Sequence, residues 1–342
     1  MKKILLSILQ LSVTIAVLYW VFHDGEKRRQ MAEALHQADA RWMIAAIAAY
    51  ILVEIAAAVR WHILLKVQDI HLSMPRVTGL FFVGMFFNQF LPGGTGGDII
   101  KSYLLLKETP GKKAGALLAV LFDRLIGLVA LVVITAVLIF LRYHWLTQTN
   151  ETRRYVWFVL AALGVSIIAL LTTFLISGFN LARRLPKEFP AREKLIEVSA
   201  AYHLYARHWT GTILAFAISL VAHLATFTTF LFVAYTLRAD VRMIDFFAVM
   251  PIERTVSAIP ISFAGEGPRE HILQVMLSGL CSVAPGVAAL IGTMSFLVVL
   301  LCSAPGGLVY LLYKPSGKIR HVPIRDMETE VATLEHEIGR SE

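Results

Sequence analysis

From Val77 to Gly97 the chain carries no charge, and then "GGTGGDIIKS" brings Asp98 and Lys101. A carboxylate and an ammonium three residues apart share one face of a helix, where they can pair or meet a polar ligand together. The stretch "ERTVSAIPISFAGEGPRE", residues 253–270, places Glu253, Arg254, Glu266, Arg269 and Glu270 around a second proline–glycine interruption. Asp123 and Arg124 form an isolated charged pair inside the apolar run Leu117–Leu141. Adjacent helical residues point about 100° apart, so these two are expected to pair with other elements rather than with each other. Charges buried at membrane depth are costly and face one another or water, which makes a polar groove the expected setting. In that groove Lys101, Arg124, Arg254 and Arg269 suit phosphate oxygens, and helix starts would add amide donors. Asp98, Glu253 and Glu270 would hold the bases in place or accept an amine. Asp98 also has the position of a helix cap.

The elements that carry these residues are apolar. Hydrophobic residues make up 57% of the 342-residue chain and charged residues only 16%, too little charge for the surface of a soluble protein of this size. Charge-free or nearly charge-free runs long enough to cross a bilayer are Ile4–Phe22, Trp42–Leu65 (broken only by Glu54 and Arg60), 115–141, Tyr155–Phe179, Trp209–Leu237 (containing His223) and Pro285–Tyr313. The first reads as an uncleaved anchor, because it lacks a small-x-small cleavage site. The expected fold is all-α, a polytopic membrane helix bundle, with one transmembrane domain over 1–315 and a polar tail over 316–342.

Two pairs of short apolar elements, 77–91 with 98–107 and 243–262 with 268–283, are each interrupted by proline and glycine. Pro92, Gly93, Gly94, Gly96 and Gly97 form the first break, and Pro260, Gly265 and Gly267 the second. Each pair is expected to be a re-entrant hairpin or a closely coupled helix pair, entering from opposite sides, the pattern an inverted repeat with a midplane site would leave. Irregular backbone at that depth requires burial in protein or a wet cavity.

The net charge of +8 does not call for nucleic acid. Most of the lysines and arginines fall in segments assigned to the cytoplasm, including the stretch from Arg60 to Lys113 and the loop 183–207, by the positive-inside rule. Both termini are therefore expected in the cytoplasm, in the cell's inner (cytoplasmic) membrane. The expected partners are membrane lipids. No metal site and no cofactor are expected: GGxGG lacks the Gly-Lys-Ser/Thr of a nucleotide loop, His203 and His208 have no ligand pattern around them, and Cys281 and Cys302 lie in apolar sequence.

Three stretches, "FFNQFLPGGTGGDIIKSYLL", "DRLIGL" and "ERTVSAIPISFAGEGPRE", together resemble signatures of the lysylphosphatidylglycerol synthase transmembrane-region, or flippase-like, family. The resemblance runs from the first helix to about Lys314. Asn88, Pro92, Gly96, Gly97 and Asp98 match its first motif, Asp123 and Arg124 its second, and Pro260, Gly265, Gly267, Arg269 and Glu270 its third. Lys101 stands where the family usually has arginine, replacing a bidentate fork with a point charge. Ala264 and Glu266 also depart from the usual glycine and apolar residue.

The resemblance implies movement of a phosphate-headgroup lipid, aminoacylated or isoprenoid-linked, between leaflets. The residues expected to meet it are Asn88, Asp98, Lys101, Asp123, Arg124, Glu253, Arg254, Glu266, Arg269 and Glu270, of which the resemblance carries Asn88, Asp98, Asp123, Arg124, Arg269 and Glu270. The alternatives are a membrane enzyme acting on a polyprenyl-phosphate sugar and a non-transporting scaffold. No loop here exceeds about 30 residues, too few for the soluble aminoacyl-transferring domain of some relatives, so a transporter is expected rather than an enzyme.

Overall fold

A computed structural model describes Ser12, Ile15, Tyr19 and residues 23–90, 96–178, 192–258, 265 and 267–312. The rest of the expected first span 4–22, the tail from 313 on, Pro92, Gly93, Gly94, Pro260 and Glu266 lie outside the described residues. Twelve helices are described: α1 Gly25–His36, α2 Ala40–Val67, α3 Met74–Phe90, α4 Gly96–Glu108, α5 Lys113–Leu146, α6 Asn150–Gly178, α7 Arg192–Arg207, α8 Trp209–Thr236, α9 Met243–Ser257, α10 Pro268–Cys281, α11 Pro285–Ser303 and α12 Pro305–Leu312. Among the described residues there is no strand, and the protein is an all-α polytopic membrane bundle.

Five stretches are long and apolar enough to cross a membrane: α2, α5, α6, α8, and α11 continued by α12. Their outer faces are greasy, with Phe140 84% and Leu311 73% exposed, whereas Glu253 and Glu270 are fully buried. This inverts the arrangement of a soluble protein and suits a lipid surround. Helix starts carry expected signals. Asp39 accepts the Arg41 amide at 2.9 Å at the head of α2, and prolines open α10, α11 and α12 at positions where no amide is missed.

The most extensive packing is between α2 and α8. Ala46, Ala56 and Ala58 on one side and Ala215, Ser219, Ala222 and Ala225 on the other are buried; such small residues let helix backbones approach where lipid offers no hydrophobic drive.

α3 with α4, and α9 with α10, form two hairpins. At about 1.5 Å per residue these helices run roughly 20–25 Å, short of the hydrocarbon thickness of about 30 Å. They enter from opposite ends of the bundle. Lys112, just before α5, pairs with Asp69, just after α2, at the open end of the first hairpin. At the other end of α5, Arg142 pairs with Asp245 at the start of α9. Each hairpin has its own apolar core. Phe81, Leu80, Ile100 and Tyr103 of the first pack with Trp61 and Ala119. Phe246, Met250, Leu273 and Met276 of the second pack with Phe227 and Ile291. The charges lie between the two.

Candidate functional site

A cavity of about 590 Å³ is lined by residues of both hairpins. The first hairpin lines it with Asn88, Asp98 and Lys101; the second does so with Arg254, Ser257 and Arg269. Long helices complete the wall through Glu54 and Arg60 of α2, Asp123 and Arg124 of α5, and His223 of α8. Of the residues singled out in the sequence, Asn88, Asp98, Lys101, Asp123, Arg124, Arg254 and Arg269 therefore meet in one place. Glu253 and Glu270 stand behind the wall.

On the side of the first hairpin five charges alternate. Arg124 bonds to Asp98. Lys101 Nζ lies 3.5 Å from Asp98 Oδ1 and 3.7 Å from Asp123 Oδ2. Arg60 Nε donates to Asp123 Oδ1 at 2.8 Å, and its Nη1 donates to Ser219 Oγ at 3.1 Å. As expected, Asp123 and Arg124 each pair with other helices. Lys101, 3% exposed, also lies 4.6 Å over the Trp61 ring, which compensates part of its lost hydration. The Arg124 side chain is 53% exposed, so this network reaches the outside of the bundle.

The second network is smaller. Glu253 lies 3.3 Å from Arg254 Nε and 3.7 Å from Arg269 Nε, and accepts from Ser257 Oγ at 2.8 Å. Arg254 lies over Phe230 at 5.4 Å and Arg269 over Phe296 at 5.3 Å.

Three expectations change. Asp98 is in the first turn of α4, but among the described contacts its carboxylate serves Arg124 and Lys101; Asn88, from across the break, accepts the Gly97 amide at 2.9 Å. The Gly267 amide goes to Glu270 Oε2 at 2.6 Å. Both of these amides are thus engaged by side chains, and it is the basic side chains that face the cavity. Arg60, counted in the sequence only with cytoplasmic charge, lines the cavity beside Lys101, which was expected there. The signal for Arg60 was present: Tyr50, Glu54, Ala57 and Arg60 recur at helical spacing and all line the cavity,. His223 donates through Nε2 to the Gly127 carbonyl at 3.1 Å. Among the described residues no group of His, Cys, Asp and Glu forms a metal cage.

Residues 7–306 match the sequence profile of the family described as the lysylphosphatidylglycerol synthase TM region. A UPF0104 membrane protein of Pyrococcus horikoshii is 28% identical over 209 residues, covering 58% of this chain and 59% of that protein. The chain thus aligns with less than two thirds of that relative's length.

Proposed function

The chain belongs to the lysylphosphatidylglycerol synthase TM region family, and on that premise we propose that it moves a lipid with a phosphate-bearing headgroup between leaflets. The headgroup occupies the cavity while the acyl or isoprenyl chains stay in the surrounding lipid. One observation carries this reading: among the described residues that line the cavity, five bases (Arg60, Lys101, Arg124, Arg254 and Arg269) stand against three acids (Glu54, Asp98 and Asp123). Arg60, Lys101 and Arg124 face Asp98 and Asp123; Arg254 and Arg269 share Glu253. An excess of fixed cations in a water-accessible, low-dielectric recess favours an anion, and guanidinium groups fit phosphate oxygens. The volume lies within the range of small-molecule sites, about 300–1,000 Å³.

The protein is expected to act in the cell's inner membrane with both termini in the cytoplasm, as the distribution of basic residues suggests.

Vesicles holding headgroup-labelled phosphatidylglycerol and a membrane-impermeant quencher test the reading. Wild-type protein should expose inner-leaflet label many-fold faster than empty vesicles, and the double variant Arg254→Gln/Arg269→Gln, folded, should be close to empty vesicles. Equal rates with and without wild-type protein, for anionic phospholipids and isoprenoid phosphates alike, would refute it. Lipid products detected by mass spectrometry would favour enzyme chemistry.

A further inference from the structure

Of the bases that line the cavity, Arg124 is exposed, whereas Arg60 and Arg254 are half-buried and Lys101 and Arg269 buried. Its place on α5 says what it is exposed to. At about 100° per residue, Arg124 lies roughly 60° round the helix from Leu121 and roughly 40° from Leu128. Both leucines are exposed, and neither is among the residues lining the cavity. Asp123 points roughly 140–160° away from them and is buried. α5 therefore turns an apolar stripe to the lipid, and Arg124 stands on the edge where that stripe meets the cavity wall.

This edge lies deep in the membrane. Lys112, at the head of α5, pairs with the exposed Asp69, and α5 begins at Lys113. From there to Arg124 is about 16 Å at 1.5 Å per residue, near half of a hydrocarbon thickness of about 30 Å. A guanidinium at such depth beside lipid is costly unless it meets water or a partner. Arg124 has both, the cavity on one side and Asp98 of α4 as its counter-ion.

The network behind the edge allows that counter-ion to be exchanged. When Arg124 gives up Asp98, Asp98 keeps Lys101 at 3.5 Å. Lys101 in turn shares Asp123 with Arg60, which donates to it at 2.8 Å. No acid is left bare, which is what makes breaking a buried pair expensive. The released guanidinium fits two phosphate oxygens as it fits a carboxylate.

We propose that a lipid headgroup enters and leaves the cavity sideways, between α4 and α5, and that Arg124 takes its phosphate at this mouth in exchange for Asp98. The acyl chains stay in the bilayer, because the stripe of Leu121 and Leu128 runs beside the guanidinium. This inference rests on the lipid-transport reading above and names the lateral entry.

Photoreactive benzoylphenylalanine in place of Leu121 or Leu128 tests it, with Val165, an exposed residue near the middle of α6, as the reference. The vesicles are phosphatidylcholine with equal traces of phosphatidylglycerol and of diacylglycerol, which lacks the phosphate. Light should couple phosphatidylglycerol several-fold more than diacylglycerol at positions 121 and 128, and the two about equally at Val165. Arg124→Gln should bring the ratio at 121 down to that at Val165. Asp98→Asn, which removes the competing carboxylate, should raise it, whereas a merely structural ion pair would not. An even ratio at all three positions overturns the mouth, and transport stands if label is still transferred between leaflets; a phosphate drawn from water instead of the bilayer would give that even ratio. Enrichment that survives Arg124→Gln, or fails to rise with Asp98→Asn, overturns the role of Arg124. Enrichment with no transfer of label upholds the mouth and refutes transport. Should Arg124→Gln not fold, the response to Asp98→Asn decides.

Discussion

The two broken hairpins use the same residue types for different physical ends. In the first, glycine provides closeness: a Cβ at Gly97 would lie 1.8 Å from the Gly84 carbonyl oxygen and 2.7 Å from the Asn88 amide nitrogen, so α3 and α4 meet backbone to backbone. In the second, glycine provides torsion: Gly265 and Gly267 have φ of 78° and 90°, a region side chains disfavour. The charges divide in the same way. The first hairpin imports Arg60, Asp123 and Arg124 from long helices and shares each acid between two bases. The second keeps its charges on α9 and α10, where Arg254 and Arg269 share Glu253 and the buried Glu270 takes the Gly267 amide. Tight packing and shared counter-ions hold the first in place. The second draws the counter-ion its two arginines share, Glu253, from its own helix α9.

The largest effect should come from removing that carboxylate. Glu253→Gln leaves two arginines without their shared partner in a buried setting, a loss of about 3–5 kcal/mol, read as a fall in the thermal midpoint and folded yield in detergent. Asp98→Asn should cost clearly less, because Lys101 keeps Asp123 and Arg124 is half exposed. Equal losses would break the comparison.

Next are the glycines. Gly97→Ala and Gly267→Ala should each cost about 1–3 kcal/mol, but serine should separate them. At Gly97 the cost should climb with each added atom, since space is the limit. At Gly267 serine should cost scarcely more than alanine, since the strain arises at Cβ. Parallel behaviour in thermal unfolding would mean the two breaks are physically alike.

Asn88→Ala, which strips the cap from the Gly97 amide, should cost about 0.5–2 kcal/mol, again by unfolding midpoint.

The smallest effect concerns the open end of the first hairpin. There the Lys112 ammonium, and then His71, hold the Asp69 carboxyl below its ordinary range. A depressed folded value means the contribution exists above the unfolded value and disappears as pH falls through the folded one. Asp69→Asn should therefore lower the midpoint slightly near neutrality and not at all in acid; as both partners are exposed, the effect is small.

Much of this fold was legible because bilayer-length apolar runs are strong signals. The span expected over 42–65 is Ala40–Val67, and that over 209–237 is Trp209–Thr236. The interruptions were legible because proline and glycine cluster where both hairpins turn. Arg60 was not, because a charge count assigns residues to loops and ignores the helical face they share. Glu270 was read as a ligand for the headgroup or its bases, although an acid three residues after Gly267, past Pro268, is itself a capping signal. Pairing across helices, such as Arg60 with Asp123, depends on tertiary contacts that no local pattern encodes.

The central claim is that the two hairpins together line one wet cavity that accepts an anionic headgroup. Single cysteines at Gln89 and Ala258, which line it from the two hairpins, in a background where Cys281 and Cys302 are serine, test it directly. In vesicles both should react with a small charged thiol reagent, and glycerophosphoglycerol should slow both reactions together. Failure of either cysteine to react, or reaction rates indifferent to that phosphodiester, would contradict it.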